Sequence, residues 1–250
     1  MGRMVRVVDR AFSEPRLAAL YDTLNPWGRS DDYYLELIRS ARSVLDLGCG
    51  TGLLLRRAAA EGHPGVLVGV DPAAAMLAQA ARAATSVVWL AGDARTVDAG
   101  QRFELAIMTG HAFQVFLTDD DVLALLANVR RHLEPGGRFA FETRNPAARA
   151  WERWAPERSR VRVETPTGED VEVAHGSARR SEPDLIEFSA TYRFAGSPSP
   201  LVSRSTLRFV DPDHLRALLG FRIDGWFGDW NRTPVSSSSP EIIVVVSRSE

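Results

Sequence analysis

Residues 43 to 52, Ser43-Val44-Leu45-Asp46-Leu47-Gly48-Cys49-Gly50-Thr51-Gly52, place three glycines at alternate positions directly after a short apolar run. The next segment, Leu53-Leu54-Leu55-Arg56-Arg57-Ala58-Ala59-Ala60-Glu61, consists mostly of strong helix formers and stops at Gly62. Strand, glycine turn and helix therefore follow one another without a spacer. Glycine lacks a Cβ, so its backbone takes positive φ and a ligand can lie against it. The following helix points free N–H groups and its positive end at whatever occupies the turn. The plainer reading is a tight strand-to-helix connection, but the correct flanks favour nucleotide-type binding.

The spacing narrows the nucleotide. Dinucleotide fingerprints read G-x-G-x-x-G, whereas this turn reads G-x-G-x-G. A phosphate-binding loop of the G-x-x-x-x-G-K-[ST] type is excluded, because all 30 basic residues are arginine. The absence of lysine also removes Schiff-base chemistry. The run Asp46-Leu47-Gly48-Cys49-Gly50-Thr51-Gly52 resembles the first motif of the class I S-adenosylmethionine-dependent methyltransferases. That resemblance implies cofactor contacts from Asp46, Gly48, Cys49, Gly50 and Gly52.

The rest of the chain agrees with an α/β protein. Val66-Leu67-Val68-Gly69-Val70-Asp71 reads as a second buried strand ending on an acid, 19 residues after Gly52. A carboxylate there can accept from both ribose hydroxyls, or it can cap the next helix with Pro72 at its first position; both roles can coexist. The helix over 73–80 carries Met76, a core residue on its own terms and an adenine-packing residue by the resemblance. A third strand over 87–90 precedes Ala91-Gly92-Asp93-Ala94. Gly-Asp is a common turn pair, but the resemblance implies that Gly92, Asp93 and Ala94 meet the adenine.

The fourth strand, 103–108, ends in Thr109-Gly110-His111-Ala112-Phe113. Ligands of open α/β sheets bind beyond the carboxyl ends of the strands, so this loop is expected to face the reacting centre. Thr109 is assigned to the cofactor, and His111 and Phe113 to the substrate. His111 is the candidate general base, with a satisfied loop histidine as the alternative. A helix capped by Thr118 or Asp119 follows, and its first-turn acids Asp119, Asp120 and Asp121 read as capping, not as metal ligands. Glu134-Pro135-Gly136-Gly137 stops it before a fifth strand over 138–143, and this turn also resembles the methyltransferase pattern. Glu142 and Arg144 either line the acceptor pocket or pair with each other.

Residues 13–40 read as two helices, the first capped by Ser13 and the second by Ser30 or Asp31. Tyr21 and Tyr33 are core aromatics on composition alone. The resemblance raises Tyr21 to a cofactor contact and Tyr33 to a substrate contact. Between 160 and 210 the pattern alternates with period two, as in an antiparallel sheet. A sixth strand over 221–228 and a last one over 241–246 complete the core, and Trp230, in the loop between them, is assigned to the substrate.

These readings give a seven-stranded Rossmann-like methyltransferase sheet with an inserted antiparallel β lid. The boundaries are a helical flap over 1–42, a cofactor core over 43–150, the insertion over 151–210 and the closing elements over 211–250. The expected cofactor is S-adenosyl-L-methionine, with N- or O-methylation of a small-molecule acceptor. A non-catalytic cofactor-binding protein and an NAD-dependent oxidoreductase are the alternatives. A net charge of −2 gives no drive toward nucleic acid or anionic membrane. Cys49 is the only cysteine, so no metal site is expected from thiolates. The charged start Met1–Arg10 is no secretory signal, a cytoplasmic location is expected, and a homodimer is possible through the insertion.

Overall fold

The computed structural model describes residues 8–249, so most of the charged start lies outside the described residues. Seven strands form the principal sheet: β1 (Ser43–Leu47), β2 (Val66–Asp71), β3 (Val88–Ala91), β4 (Phe103–Met108), β5 (Leu133–Arg144), β11 (Arg222–Phe227) and β12 (Glu241–Ser247). Their order is β11-β12-β5-β4-β1-β2-β3. The first five in sequence are parallel, whereas β12 runs antiparallel between β5 and β11. Order reverses at β1, whose neighbours are β4 and β2, so the glycine turn opens onto the switch point where such sheets bind ligands.

The apolar runs are continuous because both faces of the sheet are covered. On one side Leu45, Val70, Phe103, Phe139 and Phe141 pack under α7 (Asp119–His132) and α9 (Pro212–Leu219). On the other, Val44, Leu105, Ile107 and Ile243 meet Tyr34 and Ile38 of α4 (Arg29–Arg39) and Leu54 and Leu55 of α5 (Leu53–Ala60). Thr118 caps α7, its side chain accepting from the Asp121 N–H. Asp211 caps α9.

The N-terminal region departs from the two-helix expectation. It contains α1 (Arg10–Ser13), α2 (Pro15–Ala18) and α3 (Tyr21–Leu24) before α4. Ser13 is inside α1 and caps nothing, because Pro15 restarts the helix one residue after Glu14. Gly28 occupies the N-cap of α4, and the Asp31 side chain reaches back to its N–H at 2.8 Å. The apolar stripe is split between two partners. Leu17 and Leu20 face the second sheet, while Ala18 and Tyr21 face Ala73 and Met76 of the core.

That second sheet holds β6 (Val161–Glu164), β7 (Asp170–His175), β9 (Leu185–Phe194) and β10 (Leu201–Arg208) in the order β10-β9-β7-β6, with the short β8 (Arg179–Arg180) beside β9. It is antiparallel throughout. Arg208 fastens it to α7 by an ion pair to Asp119 at 2.8 Å, and pairs also with Asp184, just before β9, at 2.7 Å. No helix among the described residues is long and apolar enough to cross a membrane.

Candidate active site

Gly48, Gly50 and Gly52 have φ of 78°, 56° and 74°, so all three use the left-handed region that favours glycine. Close approach matters too. A Cβ on Gly52 would stand 2.2 Å from the Trp89 ring, and one on Gly48 would stand 3.1 Å from Ala112. The turn is thus gripped between β3 and the loop after β4.

Asp71 is buried beside this turn. Its Oδ2 accepts from the Gly50 N–H at 2.8 Å and its Oδ1 from the Ala73 N–H at 2.7 Å. The capping and turn-holding roles are both present, and each carboxylate oxygen keeps a further lone pair. Burial raises its pKa, while the two backbone donors pull it down. Pro72 beside it is exposed. Asp46, at the end of β1, is 2% exposed, and among the described residues nothing donates to its Oδ1. Burial, reinforced by Asp71 and Glu142, pushes its pKa up to about 8. An orphaned carboxylate oxygen beneath a glycine cradle, with further carboxylates nearby, suits a ligand that is cationic and rich in hydroxyl donors.

Met76 is buried with Ala18 and Ala73, and Tyr21 packs against this cluster. The Tyr21 ring lies across the cradle. Cβ atoms on Gly50 and Gly110 would stand 4.0 Å and 3.5 Å from its Cε1 and hydroxyl. Burial and then Asp71 raise its pKa to about 12. The next residue, Asp22, ties the N-terminal helices down by accepting from Thr51 Oγ1 at 2.5 Å and Arg56 at 3.0 Å.

Asp93 is more committed than expected. Its carboxylate is held by the Arg95 guanidinium, at 2.9 Å to Oδ1, and Arg95 also pairs with Asp121. Gly92 is close-packed, since a Cβ would come within 3.0 Å of Val97, and Ala94 is buried in the core. Cys49 is buried, with its thiol pKa driven up by desolvation, which suits a space-filling role.

His111 follows Gly110 on the loop after β4. It takes φ 61°, uncommon for a residue with a Cβ. That conformation directs its N–H to Oε1 of buried Glu142 at 2.8 Å and its ring Nε2 to within 2.9 Å of Glu241 Oε2. The other oxygen of Glu142 accepts a short bond from the Tyr34 hydroxyl. Burial raises the Glu142 pKa against the lowering effects of His111 and Tyr34. No ion pair joins Glu142 to Arg144 among the described residues. Arg144 instead donates to Gln114 Oε1 at 2.8 Å.

Two expected substrate residues lie apart from this group, as does the loop's phenylalanine. Phe113 points into the core, stacked on Phe141 with centroids 4.3 Å apart. The cause is simple: Phe113 is the second residue of a short 3-10 turn, Ala112–Val115, that buries its side chain. Tyr33 and Trp230 meet each other at 5.6 Å and line an outward groove with Arg29, Asp32, Glu36, Asn231 and Arg232. Trp230 also touches the Tyr34 ring at 5.9 Å, so this groove backs onto the Tyr34–Glu142 bond.

Glu241, Gln114, Tyr34 and Asp22 were not singled out from sequence. Glu241 carried a signal: it opens an apolar strand antiparallel to β5, which puts its first residue at the carboxyl edge of the parallel strands. Buried Gln114 had none.

Comparison with known proteins fits this geometry. A family model described as a methyltransferase domain matches residues 44–137. A cypemycin N-terminal methyltransferase from Streptomyces sp is 27% identical over 210 residues, covering 83% of each chain. The dTDP-4-amino-2,3,4,6-tetradeoxy-D-glucose N,N-dimethyltransferase of Saccharopolyspora spinosa is 31% identical over 51% of this chain and 54% of its own, so the match spans about half of that protein. Among solved structures, CalS10 with bound SAM, an amino pentose methyltransferase from Micromonospora echinaspora, superposes with a TM-score of 0.68 at 21% identity, covering 100% of both chains.

Proposed function

The chain being a class I S-adenosylmethionine-dependent methyltransferase, we propose that its acceptor is a small molecule methylated on an amine nitrogen. The observation that carries this reading is the His111–Glu241 contact at the rim of the glycine cradle, with Glu142 behind it. A carboxylate-lined pocket attracts an ammonium group, and an imidazole within it can take the proton that the nitrogen must lose before attack. The relatives named above act, by their names, on a peptide N-terminus and on an amino sugar; both acceptors present an amine.

S-adenosylmethionine supplies, when bound, a methyl group already activated on a sulfonium. The chain's own work is then to orient and to exclude water. Asp71 is the residue for the ribose hydroxyls, Met76 for the adenine face, and Asp46 for the cationic portion. Asp93, beside Gly92 and Ala94, would meet the adenine amine. Thr109, on the loop beside Gly110, would line the same cleft. Tyr21 covers the cradle from the N-terminal helices, and the second sheet closes the acceptor side as a lid. His111 holds the proton lost by the acceptor, and Glu241 fixes its ring.

The test is an S-adenosylhomocysteine-release assay with matched amines and alcohols, run beside calorimetry with S-adenosylmethionine and NADH. Turnover of amines alone supports the reading. Turnover of alcohols alone would reject the nitrogen acceptor, and binding of NADH in place of S-adenosylmethionine would reject the cofactor residues.

A further inference from the structure

We propose that Arg144 receives an anionic group, a carboxylate or phosphate, carried by the acceptor, so that the pocket takes a substrate with an amine at one end and an anion at the other. This rests on the amine reading above and adds the second half of the substrate's chemistry.

Arg144 ends β5 two residues beyond Glu142, on the same face of the strand. Its Nη1 donates to Gln114 Oε1, and the amide nitrogen of Gln114 is committed to the Arg208 carbonyl at 2.9 Å. Gln114 is therefore oriented by its other end and holds the guanidinium in place. Trp154, from the segment leading into the second sheet, lies 5.2 Å from the guanidinium carbon. The guanidinium thus stands between the end of β5, Gln114 of the loop after β4 and Trp154 of the segment leading into the second sheet.

A guanidinium has five N–H donors. Among the described residues the bond to Gln114 accounts for one, and Arg144 enters no ion pair. Nearby carboxylates are already engaged, Glu142 by Tyr34 and the His111 N–H, and Glu241 by the His111 ring. Arg95 and Arg208 differ sharply, each holding two carboxylates. Burial is the leading influence on Arg144 and lowers its pKa. A cation withdrawn from water without a direct counter-charge is costly. A planar guanidinium fork is suited to bidentate recognition of carboxylate or phosphate. The Trp154 and Phe188 rings, 4.8 Å apart, supply an apolar wall beside it.

Two measurements test this. In the first, protein saturated with S-adenosylhomocysteine is titrated with inorganic pyrophosphate by calorimetry, comparing wild type, Arg144→Gln and the exposed-surface control Arg222→Gln. Wild type and control should bind alike, and Arg144→Gln at least about tenfold more weakly. Equal S-adenosylhomocysteine affinity in all three establishes that the variants are folded. No pyrophosphate binding by wild type, or unchanged binding by Arg144→Gln, overturns the proposal. In the second, glucosamine and glucosamine 6-phosphate are compared as acceptors. A preference of about tenfold or more in kcat/KM for the phosphate, abolished in Arg144→Gln, supports it. Equal turnover of both, insensitive to Arg144, rejects the anion subsite and leaves the amine reading standing. Arg144-dependent pyrophosphate binding without methylation of either amine does the reverse.

Discussion

Glu241 Oε2 lies 2.9 Å from His111 Nε2, although 130 residues separate the two in the chain. The strand that delivers Glu241 runs opposite to the strand that delivers Glu142, which holds the His111 backbone. Ring and main chain of one loop residue are thus fixed by carboxylates from adjacent antiparallel strands. Replacing His111 by Ala should lower kcat by about a hundredfold, with S-adenosylmethionine affinity preserved in calorimetry. Glu241→Gln should cost about tenfold in kcat, since a hydrogen-bond acceptor remains while the charge is lost. Loss of cofactor binding in either variant would show a structural role instead.

Asp71→Ala should weaken S-adenosylmethionine binding by at least about tenfold, the consequence of losing hydrogen bonds to a charged acceptor. Because Asp71 also holds the Gly50 and Ala73 N–H groups, Asp71→Asn is the companion variant. Calorimetry on both, with circular dichroism to verify folding, decides the ribose assignment; unchanged affinity removes it.

Asp46 makes stability depend on pH. Its pKa is about 8 in the folded protein against 3.8 for the ordinary group. Between these values the folded state binds more protons than the unfolded one. Its contribution is therefore greatest at acid pH, is lost as pH rises toward 8, and levels off beyond. The slope should approach about 1.4 kcal/mol per pH unit at its steepest. Denaturant titrations from about pH 5 to 8.5 should show the slope in wild type and a flatter profile in Asp46→Asn.

Gly52→Ala and Gly62→Ala separate backbone strain from crowding. Both glycines have positive φ, at 74° and 80°, but only the first would push a Cβ into the Trp89 ring; nothing lies within 4 Å of the second. Gly62→Ala should cost about 1–2 kcal/mol. Gly52→Ala should cost more and should also abolish S-adenosylmethionine binding. Equal Tm losses would mean that the approach of Trp89 does not matter.

Tyr34→Phe takes the hydroxyl donor from buried Glu142. Leaving that carboxylate oxygen unsatisfied should destabilise the protein by about 1–3 kcal/mol in urea unfolding. The same change should raise the Glu142 pKa beyond its burial-driven value. A neutral effect on stability would place the bond outside the folded-state energetics.

Local signals carried far in this chain. The glycine turn, the acid ending β2 and the apolar strands each state their role within ten residues, because steric and burial constraints act along a strand or a turn. The strand end that carries Asp71 and the helix that carries Met76 were legible for that reason. Glu241 and Gln114 were not, since their roles arise from partners across the fold: a histidine 130 residues earlier and a carbonyl 94 residues later. Tyr33 and Trp230 were each assigned to the substrate, yet they line an outward groove, because sequence spacing says which residues share a helix face but not which neighbour covers it. Phe113 shows the same limit at short range. One turn of 3-10 helix, Ala112–Val115, was enough to send it inward.

The placement of β12 between β5 and β11 has a consequence during synthesis. All three cradle glycines and Asp71 leave the ribosome early, whereas Glu241 arrives with the final strand. A nascent chain therefore carries the glycine turn and Asp71 while His111 still lacks the carboxylate that meets its ring, so the two ends of the cleft mature at different times.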